Sequence, residues 1–439
     1  MSNCVHVKEA DLITPAEPTP VHNLQLSTLD SQLFVRFTVE YLLVYKPCCG
    51  LDKFAIIENV KAGLSRVLVP YYPLAGRVRT RADGLGLEVV CRAQGAVFLE
   101  AVSDSTVSAL EKCPRNCEQW REFLSLYATD VLNGSPPLVV QLTWLSDGGA
   151  TLAVGFNHCL SDGIGSGEFL NSFADLAAGR RGNGQLKPKP VWSRHLLCPT
   201  VFGTAQSNKL SHHEFGSVPD LCGFASRYIQ EKLVPTSITF DKRNLNELKK
   251  LVALTSEINN DDPCTSFEVL SAHVWRSWAR ALNLPSNQIL KLIFSVNIRK
   301  RVKPSLPIGY YGNAFVLGCA QTFVRDLTEG GLGYATELVK RAKERVDDEY
   351  VREVVESVSS TLASVDSVGV MILTQWSRLG LDSVDFGMGR PVQVGPVCCD
   401  KYCILLPDAD QTDAVKVNVA VPTSCVDQYL HYLRSTCTS

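Results

Sequence analysis

The chain has 439 residues, 45% of them hydrophobic and 20% charged, with a formal net charge of −2 and a mean hydropathy close to zero. That is a globular composition with enough apolar material for two or three domain cores, which excludes intrinsic disorder and a disulfide-held miniature fold. No block of Lys and Arg is long enough to track a phosphate backbone, so nucleic acid is not an expected partner.

The sixteen cysteines are scattered. Cys48-Cys49 and Cys398-Cys399 are adjacent pairs, and Cys113 and Cys117 stand four apart, but no CxxC occurs and no second pair follows at zinc-site spacing. Reduced thiols and no bound metal are expected. Met1 to Pro20 carries charges and prolines rather than a signal-peptide core, and no apolar run reaches the roughly 18 residues of a membrane span. The expectation is a cytoplasmic monomer with no membrane span.

In chain order, Phe34 to Tyr45 reads as a strand and Ala55 to Leu68 as an amphipathic helix. Leu138 to Leu145 and Thr151 to Phe156 are apolar strands flanking Ser146-Asp147-Gly148-Gly149, a hairpin turn. The second strand runs into His158. A helix is predicted from about Gly167 to Ala178, with Phe169, Phe173, Leu176 and Ala177 at helical spacing and Gly179 as its stop. From Arg180 to about Gly223 periodicity gives way to Gly, Pro, Lys, Ser and His, which reads as an interdomain crossover. Thr265-Ser266-Phe267-Glu268 is a capping box opening a helix with Phe267, Leu270, Val274 and Trp278 on one face. Leu292 to Val296 reads as a buried strand, and Tyr334 to about Ser357 as one or two charged helices. The fold class is α/β, with an N-terminal domain over 1–180, a crossover over 181–223 and a second α/β domain over 224–439.

His158 is one of eight histidines and is followed by Asp162 four residues on. A His released from a buried strand into a Gly-rich turn lies at the lip of a sheet. There a neutral imidazole with a pKa near 6.5 can take a hydroxyl or amine proton. Asp162 would either polarise the ring or hold the loop. On spacing alone, a turn histidine followed by a helix-capping Asp explains the pattern more simply. Cys159 beside the base invites a thiolate reading, but neighbouring side chains leaving a strand point to opposite faces. Gly163-x-Gly165-x-Gly167 is a weak dinucleotide-loop match, because Glu168 stands where the third glycine belongs.

The surroundings go further. Asn157-His158-xxx-Asp162-Gly163 resembles the HxxxDG motif of coenzyme A-dependent acyltransferases. Gln25-Leu26-Ser27-Thr28-Leu29-Asp30, Tyr71-Tyr72-Pro73-Leu74-Ala75-Gly76-Arg77 and Gly309-Tyr310-Tyr311-Gly312-Asn313 resemble segments of the plant BAHD acyltransferases. Asp385-Phe386-Gly387-Met388-Gly389 resembles that family's DFGWG signature, with Met388 in place of Trp. The five matches run in family order over essentially the whole chain.

The resemblance implies two similar chloramphenicol-acetyltransferase-like domains, each a mixed sheet with flanking helices, joined by a long crossover loop. Acyl-CoA would serve as co-substrate, with no permanently bound cofactor. The donor and a small-molecule alcohol or amine would enter a channel from opposite faces and meet at the general base, His158. Asp162 would turn away from the base toward Arg299. Thr374 or Trp376 would donate to the oxyanion or meet the acceptor, while Asp385, Phe386, Gly387 and Gly389 would be structural.

The run Leu373 to Gly380 most resembles members that place hydroxycinnamoyl groups on fatty alcohols and ω-hydroxy fatty acids. Benzoyl- or acetyl-CoA alcohol acyltransferases, and a non-catalytic accessory protein of lipid elongation, are the alternatives. Relatives that use shikimate or quinate carry an Arg shortly before the second signature. Val354 to Val370 has no Arg or Lys, so an uncharged, largely apolar acceptor is expected.

Overall fold

The computed structural model describes residues 5–435 except 85, 113–120, 127–130, 181–185, 187, 203–211, 225, 227–229, 256–262, 361–366, 397–401 and 412. Two six-stranded mixed sheets form its frame. The first is built from β1 (Val5–Ile13), β3 (Thr38–Tyr45), β6 (Ala96–Ser103), β7 (Leu138–Leu145), β8 (Ala150–Asn157) and β13 (Gln393–Pro396), in the order β1-β6-β7-β8-β3-β13. The second is built from β9 (Leu233–Phe240), β10 (Ile289–Asn297), β11 (Phe315–Phe323), β12 (Val370–Gln375), β14 (Cys403–Pro407) and β15 (Val415–Pro422), in the order β11-β10-β12-β14-β15-β9. A small sheet of β2 (His22–Gln25), β4 (Arg77–Thr80) and β5 (Leu87–Cys91) completes the first half. No described helix is long and apolar enough to cross a membrane.

The β7–β8 hairpin closes where the sequence places it. The Asp147 carboxylate accepts from Gly149 N at 3.0 Å and from Val107 N at 2.8 Å, tying the turn to the short helix Val107–Lys112 earlier in the chain. Helix α1 (Lys53–Val67) starts on Asp52, whose side chain accepts from Phe54 N and Ala55 N. It lies against α2 (Gly163–Ala177), and alternation along β3 turns Tyr41, Leu43 and Tyr45 into the core these helices share. In the second half, α3 (Ser266–Leu282) opens on the predicted capping box, with Glu268 reaching back to Thr265 N at 2.7 Å. The charged stretch resolves into α4 (Gly331–Glu344) and α5 (Asp348–Ser360).

Three expectations need correction. Strand β3 begins at Thr38 rather than Phe34, because Leu33–Val35 forms a 3-10 turn and Arg36 bonds back to Ser31 O. Helix α2 begins at Gly163 rather than Gly167, since Asp162 caps it by accepting from Gly165 N at 3.0 Å. The crossover is not featureless: Val191 bridges to Tyr310 and Arg194–Leu197 forms a 3-10 turn. The chain also crosses the expected boundary at β13, which pairs antiparallel with β3 and belongs to the first sheet.

At the free edge of the second sheet, Tyr350 of α5 donates to Leu317 O and to Glu214. His212 lies between Glu214 (2.9 Å) and Glu353 (3.1 Å), pinning the end of the crossover to α5.

Candidate active site

His158 is the residue after β8. Its N–H donates to Phe37 O, and the Asn157 side chain accepts from Cys159 N at 3.0 Å, which turns the chain out of the sheet. The half-buried imidazole stands between Phe37 and Phe315, with centroid distances of 5.3 and 5.8 Å, and Tyr402 stacks beyond Phe37. Nδ1 is buried without a well-formed hydrogen bond. Burial holds the imidazole below the usual histidine value, with its own carbonyl, Asp162, Asn313 and Asp30 working the other way. An imidazole that is neutral at pH 7 results.

Cys159 points into the core. It is fully buried, its thiol faces Val35 O, and burial pushes its pKa up to about 12. The thiolate needed for attack is therefore suppressed.

Asp162 is engaged by four donors. Arg299 reaches Oδ2 through Nη1 at 2.7 Å and Oδ1 through Nη2 at 3.0 Å, and Gly165 N and Ala314 N supply the others. Burial alone would raise the carboxyl. The Arg299 charge and these hydrogen bonds outweigh it and hold the group below the usual carboxylate range.

Thr374 and Trp376 fall on one face of β12 and the turn after it. Thr374 pairs with Ile404, whose side chain joins the first-half core, so by alternation this face looks toward His158's half. Thr374 is half-buried there, whereas the buried Trp376 ring stacks on Tyr41 at 4.7 Å. The Asp385–Gly389 segment sits elsewhere. Asp385 accepts from Gly387 N and Gly389 N, Arg180 pairs with it, and Phe386 packs edge-on against Phe173 at 4.7 Å. Phe173 lies about 15 Å along α2 from its start at Gly163, and Arg180 follows the end of the helix. Met388 is buried where the signature has Trp.

Sequence reasoning did not single out what stands behind His158. Asn313 Nδ2 donates to His158 O at 2.7 Å and to Asp30 Oδ1 at 2.9 Å, and Arg194 pairs with Asp30. Asp30 and Asn313 end two of the segments quoted above, so the signal was present there. Phe37 and Phe315 carried none.

A family model described as the transferase family matches residues 3–430. Taxadien-5-alpha-ol O-acetyltransferase of Taxus chinensis is 32% identical, over 96% of this chain and 94% of its own. The fatty alcohol:caffeoyl-CoA acyltransferase of Arabidopsis thaliana is 33% identical, over 95% of each chain. The crystal structure of vinorine synthase superposes with a TM-score of 0.76 at 21% identity, covering 99% of this chain and 98% of its own.

The chain belongs to the BAHD family of coenzyme A-dependent acyltransferases.

The two mixed sheets with flanking helices are the BAHD architecture. Among the described residues no cluster of three or more His, Cys, Asp and Glu could hold a metal ion. Beside the BAHD HxxxD turn, a cleft of about 300 Å³ runs along α2 between Glu168, Asn171, Pro188 and the exposed Arg378.

Proposed function

We propose that the protein transfers a hydroxycinnamoyl or other aromatic acyl group from its coenzyme A thioester to the hydroxyl or amine of an apolar acceptor, directly and with His158 as general base. The observation that carries this is the setting of His158: a neutral imidazole between the rings of Phe37 and Phe315, with Tyr402 behind. Flat apolar walls favour an aromatic acyl chain and an uncharged acceptor over a carboxylate, whose burial without a cation costs several kcal/mol. Residues 361–366 of the Val354 to Val370 stretch, on which the expectation of an uncharged acceptor rests, lie outside the described residues.

Nε2 would take the acceptor proton as the oxygen or nitrogen attacks the thioester carbonyl. The tetrahedral oxyanion would then collapse and release coenzyme A as a thiolate. Of the two oxyanion candidates, Thr374 is the better placed, because the Trp376 ring is held against Tyr41. The cleft by Arg378 offers a cation for a coenzyme A phosphate.

The test is a matrix of acyl-CoA donors (caffeoyl, feruloyl, benzoyl, acetyl) against long-chain and aromatic alcohols, neutral amines, shikimate and quinate, read as thiol release. The reading expects the fastest transfer from a hydroxycinnamoyl donor to an apolar alcohol or amine. Acetyl- or benzoyl-CoA as the best donor would favour the second reading, which the similarity to the Taxus O-acetyltransferase supports. Faster transfer to shikimate or quinate would refute the apolar acceptor. No release with any pair would leave a non-catalytic accessory protein.

A further inference from the structure

Two arginines flank the turn that carries His158, one half-buried and one fully buried. Arg299 meets Asp162 from the second half, as described. Arg194 comes from the crossover, a segment with no recognisable motif, and its guanidinium is 1% exposed. Its Nη1 lies 2.6 Å from Asp30 Oδ2, and Nη2 donates to Leu160 O at 2.6 Å, two residues past His158.

Asp30, itself fully buried, also accepts from Ser27 N, Ser27 Oγ, Asn313 N and Asn313 Nδ2. Asn313 in turn donates to His158 O. Both carbonyls at the start of the turn, those of His158 and Leu160, are therefore held by one chain of contacts that runs through Arg194 and Asp30.

The neighbourhood is shaped around this guanidinium. A Cβ at Gly312 would stand 2.7 Å from Arg194 Nη1, so no side chain fits there while Arg194 occupies the site. The crossover is fixed just ahead of Arg194. Val191 N donates to Gly309 O, Tyr311 N donates to Val191 O, and Trp192 Nε1 donates to Pro70 O. An ion pair so deeply buried is a poor source of stability by itself, since desolvation offsets most of its attraction. Specifying one geometry for the turn is a better account of it.

We propose that Arg194 is a positioning residue for His158: through Asp30, Asn313 and the Leu160 carbonyl, the interdomain crossover sets the orientation of the base. The proposal rests on the reading of His158 as general base, and it adds the crossover to the acyl-transfer machinery. The charged groups around the imidazole are Asp162 and Asp30, each balanced by its arginine. Removing Arg194 alone would leave Asp30 uncompensated and move the His158 titration upward. Removing Asp30's charge as well would reverse that movement but leave the Leu160 carbonyl unheld.

The experiment compares Arg194→Met, the double variant Asp30→Asn/Arg194→Met and wild type. It measures kcat and KM for both substrates, thermal melting, and the His158 titration by NMR of histidine-labelled protein, with His158→Ala providing the assignment. In folded variants kcat falls about 10- to 100-fold, as expected for a misplaced reacting group, while both KM values stay within about 3-fold. The His158 titration rises in the single variant and returns toward wild type in the double. A kcat within about 3-fold of wild type with an unchanged titration overturns the proposal. Failure of both variants to fold also overturns it, assigning Arg194 to stability alone. If wild type releases no coenzyme A with any substrate pair, the acyl-transfer reading falls, and the NMR titration still decides whether Arg194 governs His158.

Discussion

Arg299 occupies both oxygens of Asp162, at 2.7 and 3.0 Å, and the two remaining donors to that carboxylate are backbone amides rather than the imidazole of His158. Asp162 thus caps α2 and joins the two halves, and its effect on the base is a field at a distance. Asp162→Ala leaves a buried guanidinium without its partner and should cost about 3–5 kcal/mol. Arg299→Met should cost a similar amount. Denaturant melts check this. A variant of native stability that nevertheless lost all turnover would instead assign Asp162 to the proton transfer itself.

His158→Ala should lower turnover by about 10²–10⁴-fold, the usual contribution of a general base, with melting and coenzyme A binding unchanged. Because burial holds the imidazole below its ordinary pKa, it is already neutral at pH 7. The acid limb of kcat/KM in wild type should therefore fall below about pH 6.5, and activity should be flat from there to pH 8. A limb centred above pH 7 would contradict the assignment.

Cys159→Ala should stay active within a few-fold. Intact-mass spectra of wild type with donor alone should show no acyl adduct, because the thiol is buried with its pKa near 12. A stoichiometric adduct on Cys159 would establish a covalent route.

For the oxyanion, Thr374→Val should reduce kcat by about 10²–10³-fold if its hydroxyl is the donor. Trp376→Phe, which keeps a ring against Tyr41, should act weakly. The opposite order of effects would exchange the two roles.

Much of this site could be read before the structure. His158 stood out through the HxxxDG resemblance rather than through its strand and turn, and the partnership of Asp162 with Arg299 followed from the same resemblance. The start of α2 could not be read, because Gly163, Gly165 and Gly167 look like helix breakers. In the fold they are close-packing residues: a Cβ at Gly167 would lie 2.5 Å from Leu379 O. Arg194 was hidden for a different reason. It sits in a Pro- and Lys-rich stretch without periodicity, and its importance comes from an ion-pair partner, Asp30, that lies far earlier in the chain. Long-range ion pairs leave no local pattern to find.

The His212 contact carries its own pH dependence. Burial alone would lower that imidazole, but Glu214 and Glu353 outweigh it and raise its pKa. A raised folded-state value means the stabilisation is complete below the unfolded value near 6.5 and is lost as pH rises through the folded one. His212→Gln should therefore lower the melting temperature at pH 6 and have little effect at pH 9. Tyr350, Lys291 and His213 share this neighbourhood and remain in both proteins, so the difference between the two curves isolates His212. Equal destabilisation at both pH values would remove the charge from the account.

The pairing of β13 with β3 has a consequence for biosynthesis. Residues 393–396 close the edge of a sheet whose other strands all lie before residue 158. On a ribosome adding about 5–20 residues per second, the β3 edge waits tens of seconds for its partner. During that interval a nearly finished hydrophobic sheet presents an unpaired strand to its surroundings, the kind of edge that recruits other chains. Nascent chains truncated between residues 180 and 390 should accordingly depend on chaperones and aggregate when released, and the full-length protein should escape that dependence only once its last hundred residues have emerged.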